Sequence, residues 1–112
     1  RRWKRFLRAF ASIDAAIEAA GPGISRARIR DARVRILEML CDATNGAVAE
    51  DLCGVLDEVM TESLLTLELV GATPEVLAST DLAEDVGALR KKHESERVRG
   101  LATGIVLGWK AS

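Results

Sequence analysis

Apolar residues recur every three or four positions along most of the chain, and short polar or glycine-containing stretches cut that rhythm into helices. Trp3, Phe6, Leu7, Phe10, Ile13 and Ile17 share one stripe and predict a first helix over residues 3–20, closed by Gly21-Pro22-Gly23. Ser25 is the expected N-cap of a second helix reaching about Cys41, with Ile29, Ile36, Leu37 and Leu40 inward. Arg33 falls within that face and must either reach out at its edge or pair with an acid such as Asp14 or Glu18. After a turn at Thr44-Asn45-Gly46, residues 48–60 predict a third helix with Ala49, Leu52, Cys53, Leu56 and Val59 inward. Residues 61–70 predict a fourth, apolar on more than one face through Leu64, Leu65, Leu67 and Leu69 and therefore central.

Gly71 ends that run, and Thr73-Pro74-Glu75 combines an N-cap, a proline at the first helical position and an acid in the first turn. A short helix over 74–79 follows. The next, capped by Thr80 or Asp81, runs to about Lys92 with Leu82, Val86 and Leu89 inward. Ser95 should cap the last helix, whose stripe is Val98, Leu101, Ala102, Ile105, Val106 and Trp109. The fold class is all-α, a compact bundle of about five to seven helices in one domain over 1–112. N-terminal helices (1–60) precede a helical core (61–112). The chain opens at Arg1-Arg2-Trp3 without Met and reads as a domain of a longer protein.

Charge adds a second pattern. Residues 1–40 carry ten Arg or Lys against four acids, residues 41–89 eleven acids and no Arg or Lys, and residues 90–112 six bases against two acids. Such segregation implies either helices of opposite sign side by side or two faces for different partners. Basic residues at the first helix's N-terminus oppose its dipole, so that end should be weakly held or need a partner.

Candidate chemistry is sparse. Cys41 and Cys53 both lie in apolar helical runs, where buried free thiols are the expectation, and a reducing compartment fits them. With one histidine, His93, they make no zinc set, so neither metal nor cofactor is expected. No nucleophile with a base and no phosphate-binding glycine loop is visible, so no catalytic residue is assigned. The chain has no apolar run of membrane-spanning length. Gly100, Gly104 and Gly108 form a stripe in the last helix, suited to close helix approach or merely tolerated there. Arg90, Lys91, Lys92 and His93 close the turn before that helix, where their charge also suits a helix C-terminus. Trp109, on the inward stripe, reads as a core residue whose indole N–H needs an acceptor.

The order Leu64, Leu67, Val70, Thr73, Leu77, Thr80, Leu82, Val86, Leu89-Arg90-Lys91, Leu101-Ala102, Ile105 and Trp109-Lys110 resembles the N-terminal (LW, or Mediator subunit 26-type) domain of transcription elongation factor S-II, TFIIS. Residues 12–17 and 30–36 are similar, more loosely, to the start of plant Mediator subunit 26-like proteins. Ala83 stands where the family commonly has Gly, and the glycines of the last helix replace its usual Lys or Glu. The resemblance implies a nuclear, non-catalytic, monomeric docking domain of the RNA polymerase II machinery, elongation-factor or Mediator-associated. Its implied partners are intrinsically disordered segments of transcription factors or polymerase-associated proteins, each an apolar anchor flanked by acids. Arg90, Lys91, Lys92 and His93 are then the expected partner-binding residues. Leu64, Leu67, Val70, Leu77, Leu82, Val86, Leu89, Leu101, Ile105 and Trp109 are the expected core. The alternative is nucleic-acid binding through basic segments 1–8 and 26–35.

Overall fold

In the computed structural model, which describes residues 2–111, a 3-10 turn (Lys4–Phe6) leads into six helices. These are α1 (Leu7–Ala20), α2 (Ala27–Asp42), α3 (Gly46–Val70), α4 (Pro74–Ser79), α5 (Leu82–Lys92) and α6 (Glu96–Ala111). The largest departure from the sequence pattern is α3, a single helix of 25 residues where two were expected. Thr61 does not cap a new helix there. Its hydroxyl donates to the Asp57 carbonyl at 2.9 Å, and the Ser63 hydroxyl donates to Val59 O at 2.9 Å. Polar residues that bond back one turn lie inside a helix without breaking it.

Capping residues set the other boundaries. The Asn45 side chain accepts from the N–H groups of Ala47 and Val48 and starts α3, and Gly71 ends it at φ +74°, a conformation that favours glycine. Thr73 Oγ1 accepts from Val76 N (3.2 Å) to start α4, and Ser95 Oγ accepts from Val98 N (3.3 Å) at the head of α6. The second helix begins with Ala27 beyond Ser25, whose hydroxyl accepts from Ala27 N at 3.2 Å.

The helices α1, α3, α6 and α5 pack in a closed ring, each against the next. Ile13, Ile17, Leu56, Met60, Leu64, Leu67, Leu82, Val86, Leu89, Val98 and Ala102 fill it and are almost fully buried. Ile105 is buried too, whereas Val70, Leu77, Leu101 and Trp109 are half-buried and pack against this core from its edge. Outside the ring, α2 lies on α3 and buries only Arg33 and Leu40. That shallow seat explains why Cys41 is exposed instead of buried, while Cys53 is buried in α3. Leu65 and Leu69 were expected in the centre but face outward from α3, Leu69 at 86% exposure. Among the described residues, that side of the C-terminal end of α3 is left uncovered.

Part of the segregated charge is resolved inside the molecule. Arg2 bonds both Asp57 oxygens (2.9 and 2.8 Å) and also reaches Glu50, so the basic chain start is held by acids of α3. Arg8 reaches Asp85 at 3.0 Å, and the Ser12 hydroxyl donates to the same carboxylate. Arg26 bonds Asp14 (3.1 Å), Glu62 (2.9 and 2.7 Å) and Ser63 (2.9 Å). Arg33 lies 2.8 Å from Asp14 Oδ2, as an ion pair without hydrogen-bond alignment, and its guanidinium covers the Phe10 ring at 4.6 Å. Glu18 is the partner of Arg30, at 3.4 Å.

Candidate docking surface

The basic turn is built by α5. Leu82, Val86 and Leu89 turn one face of the helix into the core, and Glu84, Asp85 at its start and Arg90, Lys91, Lys92 at its end agree with the helix dipole. The Arg99 guanidinium closes the turn, donating to the carbonyls of His93 (2.6 Å) and Glu94 (3.0 Å). Lys91 and Lys92 are exposed and Arg90 half-buried, and among the described residues no carboxylate lies within ion-pair distance of any of the three.

His93 does not join them at the surface. Its side chain is buried, its ring centroid 4.7 Å from that of Trp3 and 4.9 Å from that of Phe6. Its Nδ1 accepts the Ser95 N–H at 3.0 Å, the arrangement of a neutral imidazole. Burial pushes its pKa below the ordinary value, against the opposing pull of Asp57, whose Oδ1 lies 3.7 Å from Nε2. Sequence proximity to three cations suggested a fourth. A neutral imidazole can instead complete an apolar cluster, and here it does.

That cluster was not legible as a unit. Trp3 is 1% exposed, stacked on Phe10 (5.1 Å) and edge-on to Phe6 (6.1 Å). Its indole N–H donates to both Cys53 O (3.1 Å) and Asp57 (2.9 Å). Aromatic spacing placed Trp3, Phe6 and Phe10 on one stripe, but nothing local linked them to His93. The cluster holds the Lys4–Phe6 turn against the end of α5.

Two areas of groove flank these elements. One, of about 290 Å³, separates the end of α3 from α6 and is lined by Glu68, Gly104, Gly108 and Trp109 among others. A Cβ built on Gly100 or Gly108 would meet nothing within 4 Å, so the glycine stripe does not serve close packing among the described residues. The other lies between the Lys4–Phe6 turn and α2.

A ring of four helices with an outer helix defines an all-α bundle that presents helix ends and grooves, with Arg90, Lys91 and Lys92 unpaired at the end of α5 among the described residues. The family comparison agrees: residues 62–112 match the Med26 model, described as a TFIIS helical bundle-like domain, so this part of the chain is similar to that family. The match begins within α3 and runs through α6. Neither curated proteins nor solved structures gave a match to the chain.

Proposed function

We propose that the protein is a non-catalytic docking module of nuclear RNA polymerase II transcription, associated with elongation or with Mediator. It captures short acidic-hydrophobic segments in disordered regions of transcription factors. The observation that carries this reading is that Arg90, Lys91 and Lys92 are three consecutive cations with no carboxylate within ion-pair distance among the described residues. Arg2, Arg8, Arg26, Arg30 and Arg33 are all engaged by acids of the same chain. Cations left free at the end of a helix steer an acidic segment, while apolar contact beside them supplies affinity. The family match at residues 62–112 supports a role in transcription.

The same ion pairs weigh against nucleic acid as the ligand, because three arginines in 26–35 and two in 1–8 are already committed. Changing Lys91 and Lys92 to Glu should weaken binding of an acidic peptide with a Phe anchor about tenfold or more and leave the circular dichroism spectrum unchanged. Equal affinity in a calorimetric titration would refute the assignment. Steep salt-dependent binding of duplex DNA by the parent domain, with no peptide binding, would establish the nucleic-acid reading instead.

A further inference from the structure

The docking reading leaves open where an apolar anchor would sit, and a groove outside the family-matched residues answers it. Between the Lys4–Phe6 turn and the last turns of α2 lies a pocket of about 270 Å³ lined by Trp3, Lys4, Leu7, Leu37, Leu40 and Cys41. Apart from Lys4 its wall is apolar side chain and thiol. It continues past Leu37 and Cys41 into a shallower depression edged by Val34, Glu38 and Asp42. One wall thus carries a cation and the far edge two carboxylates.

Lys4 is the cation among the residues that line the pocket, and its turn packs beside α5. Arg8 pairs with Asp81 and Asp85 near the start of α5, and Trp3 and Phe6 meet His93 just past its end. The chain start therefore runs antiparallel to α5, and the Lys4–Phe6 turn lies beside the end of that helix. The turn that carries Lys4 thus neighbours the helix end that carries Arg90, Lys91 and Lys92. The acids near it, Glu50, Asp57 and Glu94, face Arg2 at 3.0, 2.8 and 3.7 Å. Across the groove, Glu38 and Asp42 have no cation within ion-pair distance among the described residues.

We infer that this groove receives the anchor of an extended segment that is acidic on one flank only, its acidic side lying toward Lys4 and the end of α5 and its neutral or basic side passing Glu38 and Asp42. The inference rests on the docking reading and adds a location and a direction to it. Charge placed this way fixes register, because a reversed segment would set its acids against Glu38 and Asp42.

Cys41 is an exposed thiol on the groove wall and Cys53 is buried, so alkylation of Cys41 in the folded domain reports occupancy. The probes are synthetic peptides with one Phe and a run of Glu before it, after it, or on both sides. One singly flanked peptide should slow Cys41 alkylation by iodoacetamide by one plus the ratio of free peptide to Kd, about tenfold at ten times Kd. The doubly flanked peptide should bind about 3-fold to 10-fold more weakly, and Glu38→Lys with Asp42→Lys should abolish that difference. An unchanged alkylation rate under saturating peptide that shifts the amides of residues 90–92 would overturn the groove and leave the docking reading standing. No amide shift with any peptide would remove both. Protection of Cys41 that grows with protein concentration, without peptide, would assign the groove to a second copy of the chain and likewise overturn the inference.

Discussion

Trp3→Ala tests whether the chain start belongs to the fold. The indole is 1% exposed, lies against Phe6, Phe10 and His93, and donates to Cys53 O and Asp57. Truncating a buried Trp to Ala removes about 3–5 kcal/mol through lost burial and the cavity left behind. Lost hydrogen bonding adds only about 1 kcal/mol, because Asp57 keeps the Arg2 guanidinium. The loss has a ceiling, since once it exceeds the energy docking the first few residues, that segment detaches while the ring of helices persists. With a urea m-value of about 1.5 kcal/mol/M, the full loss would lower the unfolding midpoint followed by circular dichroism by about 2.5–4 M, and that ceiling makes this an upper bound. Trp3→Phe keeps much of the ring contact and loses the donor, so its loss should be about 1–2 kcal/mol. A Trp3→Ala midpoint within about 0.3 M of the parent at equal m would refute the claim that this cluster anchors the N-terminal turn.

Other perturbations probe separate parts. Asp14→Ala leaves Arg33 buried without its carboxylate and should lower stability by about 3–5 kcal/mol; pairing it with Arg33→Met should restore part of that loss in thermal melts. For His93, the folded state resists protonation, so between the ordinary value of 6.5 and its depressed pKa the unfolded chain binds more protons. Stability should therefore fall as pH drops through that window and the His93 contribution should level off below it; an imidazole titrating at or above 6.5 by NMR would contradict the burial and its balance of Asp57 and Glu94 against Arg2 and Arg99. Gly100→Ala places a methyl in open space on α6 and should raise stability by about 0.5–1 kcal/mol, with a lower melting temperature counting against that geometry.

Helix positions and much of the core were legible because both depend on near neighbours. Leu64, Leu67, Leu82, Val86, Leu89 and Ile105 sit on stripes whose spacing alone turns them inward, and Thr73, Gly71 and Ser95 mark boundaries through bonds within a few residues. The pairing of Arg33 with Asp14 was likewise foreseeable, because a charge on an apolar face requires a partner. What the pattern could not supply was which stripe another helix covers. Leu69 and Cys41 are apolar residues on uncovered faces, and His93 is polar by type yet enclosed by aromatic rings from the far end of the chain. The break expected at Thr61 failed for a related reason: a hydroxyl can cap a helix or bond back within one, and tertiary packing on both sides of α3 selects the continuous form.

The sequence by itself therefore determined an all-α chain, its inward stripes and the excess of charge to be matched. The tertiary structure decided which charges are matched. Ion pairing depends on distances between residues some fifty or more positions apart, such as Arg2 with Asp57 and Arg8 with Asp85, which no local rule encodes. Only after those pairs form do Arg90, Lys91 and Lys92 stand out as consecutive cations without an ion-pair partner among the described residues.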